Sequence, residues 1–383
     1  MAARICPSLR RSTTLQGSRI ALVHDRLEQN GGAERVLLAL HSIFPEAPIY
    51  TPIWNRAIVT AFEGCDVRTS WMQHLPAVYK LPRLYAALYP IAFASLRLTE
   101  FDLVISLTSS FAQGVRTNGS RLHVCYCHSP ANFVWRPQAY FLNPAARTLA
   151  GPLRVWLKAW DRWAARQPDI YIATGRSVAD RVKTFYHRDA SIIAPPVDRK
   201  WFTRHKADDF YLVAARLVPH KRVELAIKAC ARLGVPLVVV GRGRSQVRLK
   251  KMAGSAVRFL GHVPDDELRD LYSRARAVLV PSEEEFGLVA LEAQAAGTPV
   301  IAFDRGGATE TVVDGVTGVR FTPQTVDGLV ESIKRFDAYS WDRTTIQSNA
   351  ARFDEGRFRR EFLALLERSM PQLATYALEP GRA

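Results

Sequence analysis

The sequence is short of acid, short of cysteine and without a long apolar run, and each shortage excludes something. Against 52 Lys and Arg there are 36 Asp and Glu in 383 residues, a formal charge of +16. An excess of this size calls for an anionic partner: nucleic acid, membrane lipid or a phosphorylated substrate. No stretch reaches the ~18 apolar residues of a membrane-spanning helix. The five cysteines (Cys6, Cys65, Cys125, Cys127 and Cys230) lack the spacing of a disulfide framework, which points to a reducing compartment. Cys125 and Cys127 stand too close for the usual zinc spacing, and as alternate strand residues they share one side. No Asp-x-Asp pair is present to hold a divalent ion. Residues 1–18 are basic and acid-free with no apolar centre, so they do not read as a secretory signal. Composition leaves a transit peptide open; a disordered leader is the simpler account.

What is present suits a soluble protein of two domains. The most informative stretch is 277–302. Ala277-Val-Leu-Val280, closed by Pro281, reads as a buried strand of a parallel sheet. Three carboxylates follow (Glu283, Glu284, Glu285), then Phe286-Gly287, then a Leu-, Ala- and Glu-rich helix stopped by Gly297 and Thr298-Pro299. Val300 to Phe303 is the next strand. Ligands of open α/β sheets sit at the carboxyl ends of the strands, where this acidic loop lies. The three acids repel one another, although acids near a helix N-terminus gain from its dipole. Glu292 stands roughly two turns beyond Glu284 in an otherwise apolar helix, as a solvated face residue or as a ligand contact. Carboxylates accept hydrogen bonds from hydroxyls in pairs, and a helix N-terminus favours phosphate. Together they suit a ligand that is half sugar and half pyrophosphate.

The first half opens with a strand at Arg19–His24, a polar loop ending Asn30-Gly31-Gly32, and a helix from Ala33. The glycine pair lets backbone approach a ligand phosphate or carbonyl, but it is not the dinucleotide fingerprint. Residues 71–98 mix aromatics and leucines with Lys80, Arg83 and Arg97, broken by prolines. They read either as an interfacial membrane segment or as core helices joined by proline turns. A strand at 123–128 ends on His128, and 156–166 is a basic, Trp-rich helix. Ile192-Ile-Ala-Pro-Pro-Val-Asp198 reads as an interdomain linker stiffened by its prolines. The second half begins its own alternation at 210–215. Arg216 and Lys221 follow in one loop, either as surface cations or as the guanidinium and ammonium a pyrophosphate requires. Asp265-Asp266 opens a helix and is expected to cap it.

Glu284-x-Phe-Gly-Leu-x-x-Leu-Glu292-Ala, continued by Gly-Thr-Pro-Val-Ile-Ala302, resembles the signature of the family-4 retaining glycosyltransferases. The resemblance implies an α/β architecture of the GT-B type, two Rossmann-like doubly wound parallel-sheet domains facing across a cleft. An acceptor-side domain would span 19–197 and a nucleotide-sugar-binding domain 198–340, with a helical segment at 341–383 crossing back to the first. By the same resemblance Glu284 would hold hydroxyls of the donor sugar and Glu292 the ribose. Backbone amides at Phe286, Gly287 and Leu288 would meet the pyrophosphate, together with the Arg-(x)4-Lys pair Arg216 and Lys221. Gly31 and Gly32 would line the cleft, and His128 would contact the sugar near its reacting carbon. Thr174-Gly175 departs from the family's Asn-Ser. The implied reaction retains anomeric configuration by front-face attack, without a metal or a cofactor other than the donor substrate.

Asn30-Gly-Gly-Ala-Glu34, Tyr126-Cys-His128 and Trp160-Asp-Arg162 look most like bacterial mannosyltransferases of polysaccharide assembly. GDP-mannose is therefore the first expectation for the donor and a UDP-hexose the second. The acceptor would be a polyprenyl-diphosphate-linked oligosaccharide at the inner face of the plasma membrane, an anionic surface that suits both the charge and the 71–98 stretch. A basic nucleic-acid-binding protein and a sugar phosphorylase of the same fold are the competing readings; the first would gather cations and aromatics on one face and leave Glu284 and Glu292 without purpose.

Overall fold

The computed structural model describes residues 18–79, 84–117, 122–140, 148, 151–198, 201 and 208–376. The leader up to residue 17 and the cations Lys80 and Arg83 lie outside the described residues. Two sheets organise the chain. The first runs β3-β2-β1-β4-β5-β6-β7, with β1 Ile20–His24, β2 Ile49–Thr51, β3 Val67–Thr69, β4 Leu103–Thr108, β5 Leu122–Cys127, β6 Ile170–Ala173 and β7 Ala190–Ile192. The second runs β10-β9-β8-β11-β12-β13, with β8 Tyr211–Ala214, β9 Leu237–Val240, β10 Val257–Gly261, β11 Ala277–Val280, β12 Val300–Phe303 and β13 Gly318–Phe321. The pairings of β1 with β2 and β4, and of β8 with β9 and β11, are parallel. This is the GT-B architecture of two Rossmann-like sheets. By compactness the chain divides into one unit of residues 1–126, 163–170 and 359–383, and another of 127–162 and 171–358.

The apolar runs of the second sheet are buried on both faces. Leu212, Val278, Val280, Val300 and Ala302 enter one core, and their strand neighbours Tyr211, Val213, Ala277, Leu279 and Ile301 enter the other. That division is the two-residue period of a strand covered by helices on each side. The helix Leu288–Ala295 closes the first core through Leu291, Ala293 and Ala295; the helix Val223–Leu233 closes the second through Ile227 and Cys230.

Strand order reverses between β8 and β11, so the loops that leave their carboxyl ends emerge side by side. The first sheet reverses in the same way between β1 and β4. There Asp25, just past β1, accepts from the backbone N–H groups of Ser109 (2.5 Å), Phe111 (2.9 Å) and Ala112 (2.7 Å), tying the two loops together.

Three expectations are refined. The stretch 71–98 forms a short 3-10 turn at Trp71–His74 and a helix at Tyr89–Ala94. Met72, Tyr89 and Phe93 are buried, with Tyr89 stacked on Phe111 at 5.0 Å, while Trp71, Tyr79, Leu84 and Ile91 are exposed. Part of it is thus core. The linker begins one residue late, because Ile192 ends β7. Asp265 and Asp266 do not cap: Pro264 holds the N-cap position without a side-chain bond, and the acids occupy the first turn, where the dipole favours them and Asp266 also pairs with Arg269.

Glycines fix the acidic loop. Gly306 adopts φ +64°, and a Cβ there would stand 2.2 Å from the Glu284 carbonyl; one on Gly307 would stand 1.9 Å from that of Phe286. Gly307 N–H in turn donates to the Glu284 carbonyl at 2.8 Å. Gly307→Ala should therefore destabilise the protein by roughly 3 kcal/mol or more, whereas Gly254→Ala, whose Cβ meets nothing within 4 Å, should be near neutral. Urea unfolding of both variants checks this.

Candidate active site

The loop after β8 is seated by the turn after β9. Gly241 adopts φ +127° with room for no Cβ beside the Ala215 carbonyl, and a Cβ on Gly243 would stand 2.4 Å from that of Leu217. Leu217 N–H donates to the Arg242 carbonyl at 2.9 Å. This holds residues 216–221 against the sheet, with Lys221 ending a short 3-10 turn, Pro219–Lys221.

The loop after β11 is extended, and Glu284 bridges Gly306 as a strand would. Successive side chains of an extended backbone point to opposite sides. Glu284 meets Lys221, whose Nζ donates to both carboxylate oxygens at 2.8 and 2.6 Å, and Ser282 Oγ adds a third bond at 2.5 Å. Glu283 and Glu285 face the other way. Glu283 takes a two-pronged bond from Arg136, both contacts 2.9 Å. Glu285 pairs with Arg181 and accepts from Asn132 Nδ2 at 2.8 Å. Each of three adjacent carboxylates thus has its own cation, and the repulsion expected from the sequence is cancelled one pair at a time.

Burial alone would push the Glu284 carboxyl up, but Lys221, Ser282 and His220 outweigh it and hold it below its usual value. The Arg136 fork does the same for Glu283. His220, between the two cations, is pushed down to about 4 by burial and then by Lys221 and Arg216. It is neutral at pH 7 and adds no charge to the site. Arg216 is exposed.

The helix Leu288–Ala295 begins on Gly287 at φ +94°, so its first amides are aimed by a conformation that favours glycine. Phe286 is core, edge-on to Phe353 at 5.7 Å. Glu292 is buried, not a solvated face residue, and accepts from the equally buried Tyr272 hydroxyl at 3.2 Å. His128 directly follows β5 and is half-buried. In the other unit, Gly31 caps the helix Gly32–Ile43, and its N–H donates to Glu34 at 3.0 Å; that carboxylate lies 3.7 Å from His24. The structure brings Arg216, Lys221 and Glu284 together around His220, with Glu292 a turn into the adjoining helix.

Beside Glu283 opens a cavity of about 480 Å³ walled by Arg136, Arg176, Arg181, Phe185 and Glu310. Glu310 accepts from the Arg176 N–H at 2.9 and 3.0 Å and so caps the helix Arg176–Tyr186. A Cβ at Gly175 would meet that carboxylate at 2.7 Å, so a side chain there would require Glu310 to shift. Sequence reasoning missed His220, Arg136, Arg181 and Asn132. His220 had a signal in its place between two singled-out cations; the others lie far from Glu283–Glu285 in sequence and had none.

Residues 197–352 match the family model described as Glycosyl transferases group 1. The chain is 34% identical over 205 residues to glycogen synthase of Mycobacterium tuberculosis, covering 49% of this chain and 50% of that protein. It is 32% identical over 253 residues to a D-inositol 3-phosphate glycosyltransferase of Actinosynnema mirum, covering 52% and 60%. The chain spans about half the length of the curated relatives it matches. Among solved structures, sucrose-phosphate synthase from Thermosynechococcus elongatus is similar with a TM-score of 0.71, at 19% identity over 92% of this chain and 98% of that one. Anabaena HepE in complex with UDP is similar with a TM-score of 0.70, at 22% identity over 91% and 100%. These two likenesses bear on the fold alone.

Two outcomes are expected of the cluster. Lys221→Met leaves a largely buried carboxylate without its cation and should cost about 3 kcal/mol. Lys221→Met with Glu284→Gln should recover most of that loss without recovering function, as a double-mutant cycle in urea would read. For pH, the folded state resists the proton that an unfolded histidine takes near its ordinary 6.5, since His220 is held to about 4. Stability is therefore full above that range and falls as pH drops from about 6.5 towards 4, and His220→Gln should flatten this slope in thermal melts.

Proposed function

We propose that this chain is a retaining glycosyltransferase that moves a hexose from a nucleotide diphosphate to an acceptor hydroxyl. The observation that carries the reading is the contact of Lys221 with Glu284 at the sheet's reversal point, with Arg216 and a glycine-started helix beside it. Glu284, kept ionised by its cation, accepts hydrogen bonds from sugar hydroxyls. Arg216, Lys221 and the amides at Phe286, Gly287 and Leu288 hold the diphosphate, and Glu292 receives the ribose. As the glycosidic bond breaks, positive charge develops on the sugar ring and negative charge on the departing phosphate. Cations already in place on that phosphate stabilise the transition state more than the ground state. A covalent route would need Glu284 to leave Lys221, which occupies both of its oxygens. Front-face attack, with the departing phosphate taking the acceptor's proton, leaves the pair intact. His128 completes the binding surface in this reading.

GDP-mannose is the proposed donor, with a UDP-hexose as the alternative, and a polyprenyl-diphosphate-linked oligosaccharide the proposed acceptor. The +16 charge supports peripheral placement on the inner face of the plasma membrane. No helix among the described residues is long and apolar enough to cross a membrane.

Thermal shift with GDP-mannose, UDP-glucose and UDP-galactose should show stabilisation by one nucleotide class. Glu284→Gln should lower kcat by roughly 10³-fold, read at a temperature where circular dichroism shows the variant, destabilised by its unpaired Lys221, still folded. No stabilisation by any nucleotide sugar, together with salt-sensitive binding to duplex DNA, would replace this reading by the nucleic-acid one.

A further inference from the structure

The helix Gly151–Ala164 is apolar on two opposite sides, and the described residues cover only one. Leu157, Asp161 and Ala164 are buried. Asp161 accepts from the Trp135 indole at 2.6 Å and from the Tyr186 hydroxyl at 2.9 Å, which fixes the helix's rotation. That orientation turns Pro152, Val155, Trp156 and Ala159 outward, at the spacing of neighbours on one helix face. Val155 is 67% exposed and Trp156 46%. Single exposed apolar residues need no explanation, but a continuous stripe does.

One border of the stripe is basic. Arg154, Lys158 and Arg162 stand on the helix, and its one acid, Asp161, points inward. Lys158 and Arg162 lie over the Trp135 ring at 4.7 and 5.2 Å, so their charges are held beside the stripe rather than swung across it. An apolar face with an indole, edged by cations and free of outward acid, suits the boundary between headgroups and acyl chains. The helix has 14 residues, about 21 Å at 1.5 Å each, too short to span and long enough to lie in the plane.

We infer that the outward face of this helix docks the protein on an anionic lipid bilayer, Val155 and Trp156 entering the interface and Arg154, Lys158 and Arg162 resting on acidic headgroups. The inference rests on the peripheral placement in the proposed function and moves the contact from the 71–98 stretch to this helix. Charge complementarity favours lipid over a second copy of the chain, since another molecule of charge +16 would bring like charges to the same face.

The test is co-sedimentation of the full chain with vesicles of equal parts phosphatidylglycerol and phosphatidylcholine, and with phosphatidylcholine alone. Binding is expected to the first only and to weaken as salt is raised. Val155→Ser with Trp156→Ser should weaken partitioning roughly tenfold or more while leaving the nucleotide-sugar thermal shift unchanged, and Ile91→Ser should have no effect on partitioning. Absence of vesicle binding, or binding indifferent to the double substitution, overturns the inference. So does loss of binding in Ile91→Ser alone, or a dimer in sedimentation velocity that the double substitution dissolves. Failure of nucleotide-sugar binding with vesicle docking intact would overturn the transferase reading and leave this surface standing.

Discussion

Three carboxylates in a row are held by three cations on alternating sides of an extended loop, and the rest of the site follows from that arrangement. Like charges on adjacent residues are tolerated because the backbone separates them: Glu284 turns to Lys221, and its neighbours turn to Arg136 and Arg181. The extended form is imposed from outside the loop. Gly306 and Gly307 lie so close beneath it that any side chain there would push it away. Loss of the glycine pair would therefore disturb all three ion pairs at once, although neither glycine carries charge.

The ion pairs also set which carboxylate faces the cluster of Lys221 and His220. Glu283 and Glu285 are spent on arginines that anchor the segments around residues 136 and 181, so their role in this structure is to fix the loop. Glu284 is paired with a lysine that itself stands in a short loop at the neighbouring strand's carboxyl end. Sheet topology brings the two loops within reach of each other, because β8 and β11 are adjacent and the strand order reverses between them. The same reversal in the first sheet is closed by Asp25 with backbone amides and the Ser110 hydroxyl. One reversal point is thus sealed by neutral donors, and the other keeps a cluster of opposite charges.

Much of this was legible in the sequence. Strands buried on both faces must be continuous apolar runs, and β11 and β12 match the expected bounds to the residue. Helix stops at glycine, as at Gly297, were equally plain. What stayed hidden depends on contacts between distant residues. Nothing near Arg136 announces that it meets Glu283 across 147 positions, nor near Arg181 that it meets Glu285 across 104. The acids at 265 and 266 carried a true helix-start signal but an ambiguous position, one residue inside the cap and not on it. The orientation of the helix Gly151–Ala164 was hidden for the same reason: periodicity gives it two apolar sides, and only the bonds of Asp161 decide which one is inside.

The pair of Lys221 and Glu284 might look like a site closed by its own charges, with nothing left for a ligand. The geometry argues otherwise. An ammonium carries three hydrogens, and two of them are directed at the carboxylate oxygens. The third is available to a phosphate without breaking the pair, and Glu284 keeps lone pairs for hydroxyls beyond those taken by Lys221 and Ser282. Arg216 stands exposed beside them, and His220 is held neutral first by burial and then by the cations a phosphate would meet. In the transfer reaction proposed above, a diphosphate would lower the mutual repulsion of Arg216 and Lys221 as it bound, so the ligand would complete a charge balance that the protein alone leaves positive. A neutral sugar alone would gain from Glu284 but not from the cations, and a free phosphate would gain from the cations but not from Glu284. Only a molecule carrying both halves engages the whole cluster, which is the physical basis for proposing a nucleotide sugar and not either part.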